Sequence, residues 1–194
     1  SVTGVQTCAL PIYATHLFNR MSSMTSRSPG VVGAVLDSSE VTAEIICDGH
    51  HVHPSLVGLA IRAKSIAKVM AITDGTAAAG LPTGARARLG DQDIIAGERT
   101  ALLDDGTLAG SILTMDAAFR MLVGQGLPLT DVARLCASTA AESLGLRDAG
   151  QIAEGRRADL VVLDQDYRVR QTYVAGVEAD RKSTRLNSSH TDIS

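Results

Sequence analysis

The sequence predicts an α/β fold in which β/α units lie on a parallel sheet, with a small β-layer added toward the C-terminal end. Three observations carry this reading. From Tyr13 to Asp74 short apolar runs alternate with helical stretches, the pattern of strands joined by crossover helices. Two of those runs, Glu44-Ile45-Ile46-Cys47 and Lys68-Val69-Met70-Ala71-Ile72-Thr73, each meet an Asp-Gly pair, Asp48-Gly49 and Asp74-Gly75. Beyond Gly150 the texture changes to short strands. At 194 residues and 45% hydrophobic content, the chain has enough apolar material to bury a core.

Taken in order, the two apolar runs read as buried strands that end in loops. Between them Pro54 suits a first helical position, and Leu56, Leu59, Ala60 and Ala63 follow at i, i+3, i+4 and i+7. That spacing predicts a crossover helix with those four residues on its buried face. A Gly/Ala-rich stretch follows Asp74, then a β-ribbon with its tight turn at Asp105-Gly106. Two helices come next. The second has Thr130 as N-cap, a face of Val132, Leu135, Cys136, Thr139 and Ala140, and Gly145 as its stop. Last come strands at 158–163 and 169–174, closed by Gly176.

Charge and cysteine content narrow the function classes. A formal net charge of -3 argues against a protein that grips nucleic acid, which needs a basic surface. Cys8, Cys47 and Cys136 are odd in number and far apart, so a reducing cytoplasm fits better than a disulfide framework, and Cys47 and Cys136 read as small core residues. No apolar run reaches the roughly 20 residues that span a bilayer, and the N-terminus lacks the pattern of a signal peptide, so no membrane is expected.

Four of the five histidines fall between His16 and His53. Three polar groups sit at or just after predicted strand ends: Thr15-His16, the stretch Asp48-Gly49-His50-His51-Val52-His53, and Thr73-Asp74. In a β/α barrel the C-terminal ends of the strands face one cleft, so these groups converge there. His50 and His53 read as loop residues flanking the cluster.

At these residues a resemblance becomes specific. Ala14-Thr15-His16-Leu17-Phe18-Asn19-Arg20-Met21, followed by Arg27-Ser28-Pro29-Gly30, resembles the "THLFNAM … R-x-P-G" signature of the N-acetylglucosamine-6-phosphate deacetylases. Asp48-Gly49-His50-His51-Val52 is similar to their "DG-x-H-V", Thr73-Asp74-Gly75 to their "TDA/TDG", and Gly106-Thr107-Leu108-Ala109-Gly110-Ser111 to their "GTLAGS". Gly150-Gln151-Ile152, Gly155 and Ala158-Asp159-Leu160-Val161 resemble the closing β-sandwich segment of many amidohydrolases. The motifs stand in the family's order and spacing. The resemblance implies the C-terminal part of a (β/α)8 TIM-like barrel, about strands 6–8, over residues 13–146, with a β-sandwich segment at 147–180.

It also implies roles. His16 corresponds to a metal ligand, and neutral imidazole is a suitable donor to zinc or iron as the divalent cofactor. Asp74 corresponds to the catalytic carboxylate, which takes a proton from the hydrolytic water and returns it to the departing amine. His51 corresponds to a substrate-binding histidine near the sugar or its phosphate. Asn19 and its neighbours correspond to a phosphate cradle, Arg27 to an arginine reaching that phosphate from the second subunit of a homodimer, and Leu108, Ala109, Gly110 and Ser111 to the acetyl end of the site. Arg20 stands where the family has alanine, so it either adds a charge to the phosphate site or obstructs it.

The family's upstream "G-x-H-x-E-G-P" segment, whose glutamate binds metal, and a further histidine ligand are not in this sequence. A catalytic zinc needs about three protein ligands and an open position. The chain is therefore expected to be a fragment, weak in metal binding, inactive alone, and prone to aggregate through uncovered sheet edges. Residues 1–12 and 181–194 resemble translated sequencing-adapter read-through and are expected to be foreign. The first of them would place Pro11, which lacks an N–H, just before the strand that delivers His16. The alternatives are another amidohydrolase, such as a cyclic amidase, whose substrates lack the sugar phosphate, and a non-catalytic phosphosugar-binding module.

Overall fold

The computed structural model describes residues 12–180. Both expected foreign ends, with Pro11, lie outside those residues, apart from Ile12. The first element is a parallel sheet of three strands in the order β1 (Tyr13–Ala14), β2 (Thr42–Ile46), β3 (Val69–Ile72). Helix α1 (Gly30–Asp37) connects β1 to β2, and α2 (Pro54–Lys64) connects β2 to β3. Parallel neighbours require such crossovers. This is the α/β arrangement expected from the alternating pattern.

Side chains alternate across the sheet, as a pleated strand dictates. Ala14, Ala43, Ile45, Val69 and Ala71 join one hydrophobic cluster with Val32 and Val35 of α1 and Val57, Ala60 and Ile61 of α2. The same cluster includes Ala118 and Leu122 of α3 (Met115–Gly124), and Val132 and Leu135 of the helix that follows. Thr42, Glu44, Ile46 and Met70 belong to the alternate positions of β2 and β3. Ile46 and Met70 are buried there too.

The face of α2 differs from the sequence expectation. Val57, Ala60, Ile61 and Lys64 are buried, whereas Leu56 and Leu59 are each 38% exposed and Ala63 is exposed. The two sets have the same spacing and lie side by side on the helix, so periodicity alone does not choose between them. Packing selects the stripe with β-branched Val57 and Ile61. Lys64 fits because its amine leaves the core for the end of α1, donating to the carbonyls of Val35 (2.7 Å) and Ser38.

The ribbon after Asp74 is larger than expected. It is a four-stranded antiparallel sheet in the order β4 (Arg86–Leu89), β5 (Gln92–Ala96), β6 (Thr100–Leu102), β7 (Leu108–Ser111). Its small core is Ala78, Ile94, Ala96 and Ala101. The Asp105-Gly106 turn is present, with Gly106 at φ 83° and its N–H donating to Leu103. A second turn at Gly90-Asp91 joins β4 to β5, the strands that the sequence reading missed.

The next helix runs as α4 (Leu129–Ala133), a π-helical turn over Arg134–Ser138, and α5 (Thr139–Ser143). Pro128 and not Thr130 occupies its N-cap position: its fixed φ and missing N–H are suited to a helix entry. Gly145 ends the helix at φ 69°, as expected. A separate antiparallel sheet, β8 (Leu160–Leu163), β9 (Val169–Val174) and β10 (Val177–Asp180), closes the described chain. No helix among the described residues is long and apolar enough to cross a membrane.

Candidate active site

Three successive parallel strands deliver three polar groups to one edge of the sheet. His16 lies just after β1, Asp48 to His53 just after β2, and Asp74 just after β3. Neighbouring strands lie about 4.8 Å apart, so the ends of β1 and β3 are separated by about 10 Å.

The loop after β1 is tightly turned. His16, Phe18 and Arg20 have φ of 39°, 79° and 57°, uncommon for residues with a Cβ. The turn is tied to β2 by the N–H of Leu17, which donates to the Glu44 carbonyl at 2.7 Å, and by fully buried Leu17. Asn19 closes it: its backbone N–H donates to the His16 carbonyl (2.9 Å) and its side-chain amide to the same carbonyl at 3.4 Å. Part of the donor capacity expected to hold phosphate is thus spent on the turn itself. Arg20 and Arg27 are both exposed, Arg27 on the loop before α1.

The Nδ1 of His16 is buried without a hydrogen-bond partner. An orphaned ring nitrogen costs free energy unless something pairs with it, which fits a ligand to a divalent metal. Among the described residues no group of three His, Cys, Asp or Glu side chains could hold an ion. His16 is therefore a single fitting donor.

The loop after β2 is organised by Asp48. One carboxylate oxygen accepts the backbone N–H groups of His50 and His51, both at 2.8 Å, and the other faces Nδ1 of His51 at 2.6 Å. Burial pushes the Asp48 carboxyl up, but the His51 ring and the two backbone donors outweigh it and hold the group below the usual carboxylate range. His53 caps α2: its Nδ1 accepts from the Ser55 N–H at 3.2 Å. His50 is exposed.

Asp74 is exposed at φ 47°, immediately beyond β3. The residues after it dock on β7. Gly75 bridges Ser111 in parallel, and the Thr76 N–H donates to the Ser111 carbonyl at 2.9 Å. A Cβ on Gly110 would come within 2.5 Å of the Thr76 side chain, so only glycine permits this approach. Ser111 is fully buried and its hydroxyl accepts from the Leu113 N–H. Leu108 is 47% exposed at the other end of the strand. Of the four residues expected at the acetyl end, Gly110 and Ser111 are the ones that lie beside the Asp74 loop.

Glu44 is the acidic residue that the sequence reading missed. It sits inside an apolar strand, and an interrupted run of that kind was the available signal. Burial pushes its carboxyl above the ordinary carboxylate range. The Thr15 hydroxyl and His16 pull it down, and Asp74 pushes it up again. Those influences place both His16 and Asp74 within electrostatic reach of Glu44. The Cys47 and Cys136 thiols are each pushed up to about 12 by burial, so both are inert core groups rather than nucleophiles. A polar cavity of about 500 Å³ lies between α3 and β9, lined by Arg120, Arg168 and Arg170 with Asp116 and Asp164. Arg120 pairs with Asp116 and Arg170 with Asp164, and none of the expected site residues lines it.

Known proteins share this sequence and arrangement. The profile of the Amidohydrolase family matches residues 11–182. An N-acetylglucosamine-6-phosphate deacetylase of Bacillus subtilis is 41% identical over 166 residues, which are 84% of this chain and 42% of that protein. An N-acetylgalactosamine-6-phosphate deacetylase of Shewanella is 38% identical, over 84% of this chain and 41% of that one. The chain thus spans less than half the length of either relative. The crystallised N-acetyl-D-glucosamine-6-phosphate deacetylase of Mycobacterium smegmatis, in complex with N-acetyl-D-glucosamine-6-phosphate, superposes with a TM-score of 0.80. It is 38% identical, over 86% of this chain and 45% of its own. On its sequence and its fold, the chain described here belongs to the amidohydrolase family.

Proposed function

We propose that this chain is the substrate-holding and proton-transferring part of an N-acetylglucosamine-6-phosphate deacetylase, which hydrolyses the acetamide to glucosamine 6-phosphate and acetate. The observation that supports it most is the placement of His16, His51 and Asp74 at the ends of three successive parallel strands, in a chain 41% identical to a deacetylase of that name. The strands are assigned as barrel strands 6–8, residues 13–146 as the partial barrel, and 147–180 as the sandwich segment.

His16 would supply one ligand to a zinc or iron ion, which when bound would provide Lewis acidity toward the amide and the hydrolytic water. Asp74 accepts the proton of the attacking water and gives it to the leaving nitrogen, a role its exposed position beyond β3 permits. Asn19 holds the phosphate of the substrate, and His51 binds the sugar beside it. Arg27, exposed ahead of α1, reaches the phosphate of the second subunit in a homodimer, where its planar fork can grip two oxygens. Leu108, Ala109, Gly110 and Ser111 border the acetyl group, with Gly110 and Ser111 nearest Asp74. Arg20 adds positive charge beside the phosphate. The remaining metal ligands come from sequence outside this chain, so the chain alone is inactive.

The test is to join residues 13–180 to the upstream half of the Bacillus subtilis relative and measure amine release from both epimeric 6-phosphates with added zinc. The joined protein is expected to be active and the 194-residue chain silent. Asp74→Asn in the joined protein should cut turnover by at least about 100-fold at unchanged metal content. Full turnover in that variant removes Asp74 from the reaction.

A further inference from the structure

The proposed function accounts for His51 but not for the residue that holds it. Asp48 and His51 lie in the loop between β2 and α2, and their side chains are only 3% and 7% exposed. The loop is pinned on both sides by the core residues Cys47 and Val52, each 2% exposed. Gly49 turns between them at φ 74°, a conformation that lets the chain double back so that one carboxylate reaches both backbone and ring.

The division of labour within that carboxylate is specific. Oδ1 accepts two backbone N–H groups, which fixes the loop. Oδ2 is 2.6 Å from Nδ1 of His51. A carboxylate can only accept there, and the same hydrogen bonds that hold Asp48 ionised make Nδ1 the nitrogen that carries the proton. The other nitrogen, Nε2, is then left as an acceptor, suited to a sugar hydroxyl rather than to a phosphate oxygen.

We infer that Asp48 is a positioning residue for the deacetylation: it sets the tautomer and orientation of His51, so that Nε2 is presented to the substrate. The inference rests on the proposed role of His51 in holding substrate. Its chemical basis is independent of that role. An imidazole that is free to rotate and to exchange tautomers presents the right nitrogen only part of the time, and a buried carboxylate removes both freedoms.

Two measurements separate the parts. The first needs no substrate: long-range 15N–1H NMR of the full 194-residue chain and of the joined protein reads the His51 tautomer directly. The Nδ1–H form is expected in the parent. In Asp48→Asn the amide can turn its NH2 toward Nδ1, and the Nε2–H form is expected. An Nε2–H tautomer in the parent, or an unchanged tautomer in a folded Asp48→Asn variant, overturns the inference. If that variant does not fold, the parent spectrum alone decides.

The second is kinetic, in the joined protein. Asp48→Asn and His51→Gln should each raise KM for N-acetylglucosamine 6-phosphate by about tenfold or more, with a smaller effect on kcat, and the double variant should be no worse than His51→Gln. A raised KM in His51→Gln beside a parental KM in Asp48→Asn sinks the positioning role. A parental KM in both sinks the substrate-binding reading of His51, and the presentation of Nε2 with it, whatever the tautomer shows.

Discussion

The parallel sheet and the C-terminal sheet each have three strands, but they are held in different ways. In β2 and β3, seven of nine residues are buried, on both faces of the sheet, so neighbouring side chains fix each strand's position. In β8 and β9 none of the ten residues is buried. Val161, Val162, Val174 and Val177 are 56%, 42%, 55% and 70% exposed, leaving backbone ladders as the main tie. The candidate site stands on the first kind of sheet. Strand ends that must hold His16, His51 and Asp74 in fixed relation gain precision from close packing beneath them.

That contrast can be broken most directly by truncating one side chain in each sheet. Ile45 is completely buried in β2, and Ile45→Ala should cost about 3 kcal/mol through lost transfer and an unfilled cavity. Val177→Ala in β10 should stay within about 0.5 kcal/mol. Urea unfolding followed by circular dichroism measures both. Equal losses would mean that the exposed sheet is packed as tightly as the first.

A smaller effect distinguishes arginines by region. In the joined protein, Arg27→Ala should raise KM for the 6-phosphate substrate about tenfold, the scale of one lost charge-assisted hydrogen bond, and leave unphosphorylated N-acetylglucosamine unaffected. Arg170→Ala in β9, whose partner is Asp164 just beyond β8, should change neither. Loss of both substrates in Arg27→Ala would contradict phosphate contact.

The pH dependence sharpens the comparison within the first sheet. Glu44 has a raised carboxyl, so its contribution to stability is fully present below its unfolded pKa and is lost as pH rises through the folded value. Glu44→Gln should therefore raise the melting temperature at pH 7 and change it little near pH 4. Asp48, held low, has the opposite sign: its contribution is present at neutral pH and is lost as pH falls through its folded value. A melting temperature lowered at pH 7 by Glu44→Gln would show that the carboxylate is stabilising there. The smallest effect belongs to Val161→Thr in β8, expected to be near zero because the side chain is mostly in water.

Much of the arrangement is legible in the sequence. The Asp-Gly pairs marked the ends of β2 and β3, and Gly106 and Gly145 marked a turn and a helix stop, because these depend on backbone conformations that few residues adopt. The strand-end positions of His51 and Asp74 followed from the same punctuation. The signals for β4 were present but weak: Gly90-Asp91 is a hairpin pair, yet in Arg86-Ala87-Arg88-Leu89 the alternating apolar positions are a small alanine and an exposed leucine, so β4 went unseen.

What local pattern by itself determined, then, was the succession of elements and the chemistry at their ends, since periodicity, turn residues and breakers act over a few positions. Tertiary structure decided which stripe of α2 faces the sheet, because two adjacent stripes share one spacing. It brought Gly75 against Ser111, 36 positions apart, and put Glu44 in the field of His16 and Asp74. It also closed Asp48 onto His51, a pairing that i, i+3 spacing allows but that only a doubled-back loop, pinned by Cys47 and Val52, can hold in place. Such contacts depend on where the chain returns in space, and hydrophobic period carries no information about that.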